Sequence, residues 1–491
     1  MGQFRQNHHA KIAIMKVALF WPPFDTTYTI PLPLGFLKSN LPEGEHEVRL
    51  FDCALRATTG DSDEARTVLR EFRPDVVGVS SWSSMARSVA PILRAAKLEN
   101  PGVITVVGGP HATAYTSRVM AEPDTDFVFR GEAETSFPAF LRQLQSGKPD
   151  YSSVEGLVWR GPDGQVRMNE MVRHKDLDLI KPPDYSFMDL EGYLARGYRL
   201  HCPEPRNAPI LATRGCPYRC AFCTAPIMNG TLVRKHSIPY LTALIRKLYD
   251  GHGIRWFNLV DDNFTFDTVF ARAFCEAVIA MKLKGAGFGT PNGIRMQKGD
   301  PELWRLMKRA GWKSVVIAPE SGSPATLARM RKDFDLSVLP RVVREMKEAG
   351  LVVQAFFIIG YPGETRADLE MTLKTARDTG FDFFYLNNFT PLPGTPVYDE
   401  LVAAGEIADG LLPAAFSDGV RTYTPATLKG VNFPLIVLRA YAGLAVRHPL
   451  RFLRMLKFFN LRLILIKLLL NIARSLGLLR KQAPAGRHMQ G

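Results

Sequence analysis

Three cysteines fall within eight residues of this 491-residue chain: Cys216, Cys220 and Cys223, in the run Thr213-Arg-Gly-Cys216-Pro-Tyr-Arg-Cys220-Ala-Phe-Cys223. Thiolates are soft ligands that suit iron–sulfur clusters and zinc. A triad can hold three irons of a cubane cluster and leave the fourth without a protein ligand, which is what a substrate-binding metal needs. A structural zinc site wants four ligands. The nearest further thiol, Cys202, lies fourteen residues upstream, and no histidine lies in the loop. Cys53, Cys202 and Cys275 are isolated, so a second cluster with four thiolates is not expected. The start of the chain, Met1 to Lys16, lacks the long apolar core of a secretory signal. Clustered cysteines in such a chain point to metal in a reducing cytosol rather than to a disulfide framework.

Elements with a regular alternation must position this loop. The first part of the chain, taken as residues 1–148, carries five short apolar runs: 16–21, 47–52, 75–80, 103–108 and 126–130. Helical stretches such as 63–72 and 85–98 separate them. This pattern predicts a doubly wound, Rossmann-like α/β domain, whose ligand sits beyond the carboxyl ends of the strands. Those ends carry Ser80-Ser81-Trp82, Gly108-Gly109-Pro110-His111 and Gly131-Glu132, residues mostly small enough for a bulky ligand to approach. Residues 149–205 read as a linker, with a hairpin turn at Gly161-Pro-Asp-Gly164. Residues 206–405 repeat a second α/β series, with strands expected at 210–213, 255–260, 287–290, 313–318, 352–359 and 381–388. Helices are expected at 239–249, 301–310, 336–349 and 366–379. Six such units fit a partial, TIM-like (β/α)6 barrel, with chemistry on the loops after the strands. The cysteine run follows the first of them.

The spacing Cys-x3-Cys-x2-Cys, with Phe222 before the last cysteine, resembles the signature of radical S-adenosylmethionine enzymes. In that family the open iron binds the amino and carboxylate groups of S-adenosylmethionine. One electron cleaves the sulfonium, and the deoxyadenosyl radical removes hydrogen from an unactivated carbon. The resemblance runs from about Lys16 to Leu401. It implies that Asp261, Asp262 and Asn263 contact the methionine end, and that Arg295, in Gly293-Ile-Arg295, faces the cofactor. It also implies that Glu320 and Ser321 reach the ribose and amino group. The loops of Gly360-Tyr361-Pro362-Gly363 and Thr390-Pro391-Leu392-Pro393 then lie near adenine. Each segment alone has a plainer reading: the aspartates can cap a helix and the Gly360 segment can be only a turn.

The N-terminal domain resembles the cobalamin-binding domain of one subclass, class B methyltransferase-like or anaerobic cyclase-like. The match lies in 74–81, 106–113 and 129–134. It implies cobalamin contacts from Ser80, Ser81, Trp82, Gly108, Gly109, His111, Gly131 and Glu132, with His111 reading equally as a turn or packing residue. One departure stands out. Domains that ligate cobalt with a histidine carry Asp-x-His-x-x-Gly after the second strand, whereas this chain has Asp52-Cys53-Ala54-Leu55-Arg56.

The net charge is +14, yet thirteen Lys and Arg and no acidic residue follow Asp418, so the preceding body is near neutral. Basicity is therefore no argument for nucleic acid, and aromatics do not interleave the basics as base stacking would want. Residues 406–491 read as a helical, basic and apolar region. Arg447, Arg451, Arg454, Lys457 and Arg462 share one side of a wheel, with Leu453, Leu456 and Phe459 on the other. No window of about 20 residues lacks charge, so a membrane span is not expected. The tail either lies on the anionic inner face of a membrane or covers the open barrel.

These readings lead to a cytoplasmic enzyme using a 4Fe–4S cluster, S-adenosylmethionine and cobalamin. The expected reaction is methylation of an unactivated carbon of a small-molecule or lipid-like substrate, with a reductant such as flavodoxin or ferredoxin. A non-methylating radical cyclase or carbon–carbon coupling enzyme has the same layout. A non-catalytic cobalamin-binding sensor is the reading from another class.

Overall fold

Runs of Val, Leu and Phe without polar alternation form strands buried on both faces, as a parallel sheet requires. In the computed structural model, which describes residues 14–24, 29–200, 202–413 and 422–456, five parallel strands open the chain, all but the edge strand of this kind. They are β1 (Met15–Trp21), β2 (His46–Asp52), β3 (Val76–Ser80), β4 (Ile104–Gly108) and β5 (Phe127–Phe129). They pair in parallel in the order β2-β1-β3-β4-β5, so the topological switch falls between β1 and β3. Helices Asp63–Phe72 and Val89–Glu99 cover the sheet, the first begun by the Ser62 hydroxyl accepting the Ala65 N–H.

The sheet does not stop at residue 148. β6 (Leu157–Arg160) and β7 (Val166–Met168) extend it antiparallel, joined through the expected turn at Gly161–Gly164. The stretch 149–205 is thus more than a linker. Trp159 packs on Tyr151, which packs on Phe127 of β5, and this apolar contact draws the hairpin onto the sheet. The remainder, with Tyr185, Met188, Tyr193 and Tyr198 buried, joins the core of the second domain.

That domain holds β8 (Asn207–Ile210), β9 (Thr213–Arg214), β10 (Arg234–Lys235), β11 (Trp256–Leu259), β12 (Gly287–Gly289), β13 (Ser314–Glu320), β14 (Val352–Ile359) and β15 (Phe383–Asn388). The parallel triples β8-β11-β12 and β13-β14-β15 meet through single bridges, Phe288 with Trp312 and Ile294 with Ile317. Six strands thus form an arc. Among the described residues, β8 and β15 pair on one side only, so the barrel is open. The expected strand 210–213 is split. The ladder ends at Ile210 because the Ala212 and Thr213 amides turn to the Asp261 carboxylate.

Helix Phe433–Arg447 lies along the open β15 edge. Tyr441 stacks on Phe383 with ring centroids 5.4 Å apart, and its hydroxyl accepts the Leu386 N–H at 3.3 Å. An edge strand thus gains a partner without another strand. Helix Pro449–Leu456 follows. Lys457, Phe459 and Arg462 of the expected basic tail lie outside the described residues, as do the first thirteen residues. No described helix is long and apolar enough to cross a membrane.

Candidate active site

The cysteine loop is fastened mainly by backbone and carboxylates. Asp261 Oδ1, just beyond β11, accepts the N–H groups of Ala212 and Thr213, each at 2.7 Å. Asp262 Oδ2 accepts the Gly215 N–H at 3.0 Å and the Asn229 side-chain amide at 2.8 Å. β9 pairs antiparallel with β10, and the Cys216 N–H reaches the Gly230 carbonyl at 3.1 Å. Gly215 is required here: its φ is +102°, and a Cβ would stand 2.2 Å from the Leu232 carbonyl oxygen. At the far end, Ala221 N–H donates to the Met330 carbonyl at 2.8 Å, and Ala225 N–H to Cys223 Sγ at 3.4 Å.

The three thiols are partly exposed and none is in a disulfide. Burial pushes the Cys216 thiol up and the Cys223 thiol up to about 12, so a metal must displace those protons to bind. Among the described residues no three His, Cys, Asp or Glu side chains converge on one ion. A cubane cluster binds each cysteine through a different iron and does not need such convergence. Soft thiols free of disulfides, one of them (Cys223) lining a cavity, fit that group.

Beyond the loop, strand ends of the barrel carry buried polar atoms with no partner: Asp261 Oδ2, Asn263 Nδ2, Thr290 Oγ1 and Arg295 Nη2. Unpaired buried donors and acceptors are costly unless a ligand meets them, and this set fits the polar ends of S-adenosylmethionine. Burial raises Asp261 to about 7, against the two amides that favour its charge. Arg295 stacks over Tyr218 at 3.4 Å and donates to the Asp333 carbonyl. Glu320 sits at φ +67° after a register shift in β13, an unusual strained backbone for a non-glycine, and pairs with Lys332 at 3.1 Å. Phe222 packs edge-on to Tyr361. The Gly360 N–H is taken by Glu364 Oε2 at 2.5 Å, and Pro391 is buried. Ser321 is placed otherwise: it is wholly buried, and its hydroxyl bonds Thr372 Oγ1 of helix Arg366–Asp378 at 2.9 Å. Its polar atom is spent on helix packing.

A cavity of about 480 Å³ joins this loop to the N-terminal sheet. Cys223, Asn229, Asp262 and Arg214 wall one end; Ser80, Trp82, Gly108, Gly109, Gly131 and Glu132 wall the other. Leu34, Phe36, Phe129, Leu211 and Met228 line the space between. Gly109 has φ +92°, and a Cβ there would lie 2.8 Å from the Ser81 carbonyl oxygen. This cradle exists only without side chains, which fits a broad flat ligand such as a corrin ring. Ser81 is fully buried just behind the wall, with its hydroxyl unpaired. Two expected contacts are displaced. His111 faces away from the cavity, towards Ser83 Oγ at 3.1 Å and Tyr115, because the helix starting at Pro110 turns it aside; burial lowers it to about 4. Glu132, though at the wall, spends its carboxylate on Arg234 at 2.9 Å and Arg214 at 3.5 Å. After β2, where a cobalt-ligating histidine would be sought, Asp52 instead caps Leu55 N–H at 2.8 Å and accepts the Tyr193 hydroxyl at 2.7 Å.

Sequence reasoning missed Glu134, Arg214, Arg234, Asn229 and Thr290. Arg214 and Glu134 sit inside motifs singled out above, but nothing local indicates that they meet.

A sheet with its switch point facing a partial barrel, and a three-cysteine loop between, define a radical S-adenosylmethionine enzyme with a second ligand-binding domain. Family models agree: a B12 binding domain matches residues 26–141 and the Radical SAM superfamily residues 210–376. The uncharacterized methyltransferase PH0819 of Pyrococcus horikoshii is 30% identical over 79% of this chain and 84% of its own. Cytidylyl-2-hydroxyethylphosphonate methyltransferase of Streptomyces wedmorensis is 28% identical over 77% and 78%. The anaerobic magnesium-protoporphyrin IX monomethyl ester cyclase of Rubrivivax gelatinosus is 28% identical over 82% and 70%. The radical methyltransferase TsrM from Kitasatospora setae, solved with tryptophan and an S-adenosylmethionine analogue, shares the fold: TM-score 0.70, 17% identity, 87% of this chain and 88% of that one. The chain belongs to the cobalamin-binding radical S-adenosylmethionine enzymes, the family of these methyltransferases and cyclases.

Proposed function

We propose that the chain methylates an unactivated carbon of a small, largely apolar substrate. The observation that carries this is the single cavity running from Cys223 and Asp262 to the glycine-lined sheet face, so that both reacting centres open on one space. When bound, the cluster with S-adenosylmethionine supplies a hydrogen-abstracting radical, and cobalamin supplies a methyl group. Cys216, Cys220 and Cys223 would hold the cluster, and Asp261 and Asp262 fix the loop that carries them. Asn263, Thr290 and Arg295 offer free polar atoms to S-adenosylmethionine. Leu34, Phe36, Phe129 and Met228 exclude water from the space between. Cyclase chemistry is the second reading, favoured by the similarity to the R. gelatinosus cyclase. Anaerobic reconstitution with iron, sulfide and hydroxocobalamin, then dithionite and S-adenosylmethionine, separates them. Deoxyadenosine with S-adenosylhomocysteine is expected; deoxyadenosine alone supports the cyclase, and neither product rejects both.

The same reading extends to where the substrate is met. Helix Phe433–Arg447 buries Phe433 and Leu444 but exposes Leu435, Leu438 and Val446, a stripe continued by Leu450 and Leu453. Arg439 and Arg447 flank it, and each cation near an anionic bilayer gains about 1 kcal/mol. This face is proposed to rest on an anionic membrane, which suits a lipid-like substrate. Leu438→Asp with Val446→Asp leaves the buried face intact and should abolish co-sedimentation with phosphatidylglycerol vesicles; unchanged sedimentation rejects the contact. The electron donor is proposed to be a flavodoxin or ferredoxin.

A further inference from the structure

Between the two domains lie four buried charges. Arg214 and Arg234 face each other across the β9–β10 pair, two residues before Cys216 and four after Gly230 respectively. Like charges in directly opposed cross-strand positions repel. The N-terminal domain answers them with two carboxylates two residues apart, just after β5. Glu134 accepts from Arg214 at 2.7 Å, and Glu132 accepts from both Arg234 nitrogens and stands 3.5 Å from Arg214. Arg234 also donates to the carbonyls of Asn229 and His174, each at 3.1 Å. All four side chains are at most 10% exposed. Burial opposes the charge on Glu132, but the Arg234 and Arg214 guanidiniums outweigh it and hold the carboxyl below its usual range.

Every charge here has its counter-ion on the other domain. Removing one partner would strand a buried charge, the costliest way to break such a pair. The strand pairing beside the cysteines is therefore favoured while the Gly131–Glu134 segment is in place, in addition to the bonds from Asp261 and Asp262. That segment also walls the cavity at the corrin end, while Arg214, Asn229 and Asp262 wall it at the cluster end.

We infer that Glu134 and Arg214, with Glu132 and Arg234, are positioning residues that couple the two cofactor sites, so that ordering either wall of the cavity orders the other. The inference rests on the functional reading above. Its consequence is reciprocal: a cluster in the loop tightens cobalamin binding, and cobalamin changes the surroundings of the cluster by the same linkage.

The test uses the full chain, with and without its reconstituted cluster. Hydroxocobalamin affinity is measured by equilibrium dialysis, and the dithionite-reduced cluster is followed by electron paramagnetic resonance with and without cobalamin. The wild-type protein should bind cobalamin roughly tenfold more tightly when the cluster is present, within the usual range of such couplings. Its resonance should shift on adding cobalamin. In Glu134→Gln the affinity ratio should fall to near one and the shift should vanish, with iron content retained. If Glu134→Gln does not fold, as judged by circular dichroism, Glu134→Asp keeps the charge at a shorter reach and should show a reduced ratio. A wild-type ratio of one, or a variant with an unchanged ratio and unchanged spectral shift, overturns the inference. A wild-type chain that takes up neither iron nor cobalamin overturns the functional reading itself, which is a different result.

Discussion

At the cluster end of the cavity, two aspartate carboxylates gather the amides of Ala212, Thr213, Gly215 and Asn229. At the end facing the N-terminal sheet the wall is largely backbone, at Gly108, Gly109 and Gly131, with small Ser80 beside them and Trp82 and Glu132 at its edge. One end is shaped by what side chains hold, the other by where side chains are missing. The first needs ligands and bonds in fixed places, because a cluster is bound by directed metal–sulfur contacts. The second would need mainly room and flatness for the proposed corrin ring, which can be gripped over a wide face. Substitutions should therefore act differently at the two ends.

The largest effect is expected at the directed end. Cys220→Ala should reduce iron to background and abolish deoxyadenosine formation, while cobalamin remains bound more weakly. A variant that keeps its brown chromophore and makes deoxyadenosine would break the assignment of the loop. Next comes the shaped end. Gly109→Ala forces a Cβ to 2.8 Å from the Ser81 carbonyl at φ +92°, so the strand end must move. Cobalamin retention should fall at least roughly tenfold, about 1.4 kcal/mol, with iron content unchanged. Loss of iron together with cobalamin would show that the contrast between the ends is false. The smallest effect is expected at His111. Turned out of the cavity, it should tolerate His111→Asn with cobalamin affinity changed within about twofold.

His111 also carries a pH signature. Its folded value, lowered to about 4 by burial, lies below the usual 6.5, so the folded state resists its protonation. Its contribution to stability is present above pH 6.5 and lost as pH falls from there towards 4, at most about 3 kcal/mol. Urea midpoints at pH 5 and 7.5 should differ more in the wild type than in His111→Asn; equal differences would sink this account.

Much of the architecture was legible because its causes are local. Short apolar runs mark the five parallel strands, unbroken in all but the edge strand β2, and the cysteine spacing marks a loop confined to eight residues. The small residues at the strand ends were visible for the same reason. What was hidden depends on partners far along the chain. Glu132 reads in sequence as a cofactor contact, but Arg234 claims its carboxylate from 102 residues away. Ser321 lies in the expected loop, yet its hydroxyl bonds that of a threonine 51 residues on. His111 follows the expected glycine turn, and the direction of a short helix, invisible in composition, sends it elsewhere. The turn of the β6–β7 hairpin is visible in the sequence, while its attachment to the sheet depends on Trp159 and Tyr151 packing towards Phe127.

The crossed charge pairs between the domains have a consequence in time. Glu132 leaves the ribosome 102 residues before Arg234. At about 5–20 residues per second, several seconds pass before its counter-charge is made. During that interval the N-terminal sheet can be complete up to β7, yet its acidic pair stays hydrated and its apolar cavity face stays open to solvent. Translation that pauses before Arg234 would prolong that exposure, whereas a chain begun after Glu134 would make both arginines with nothing to receive them.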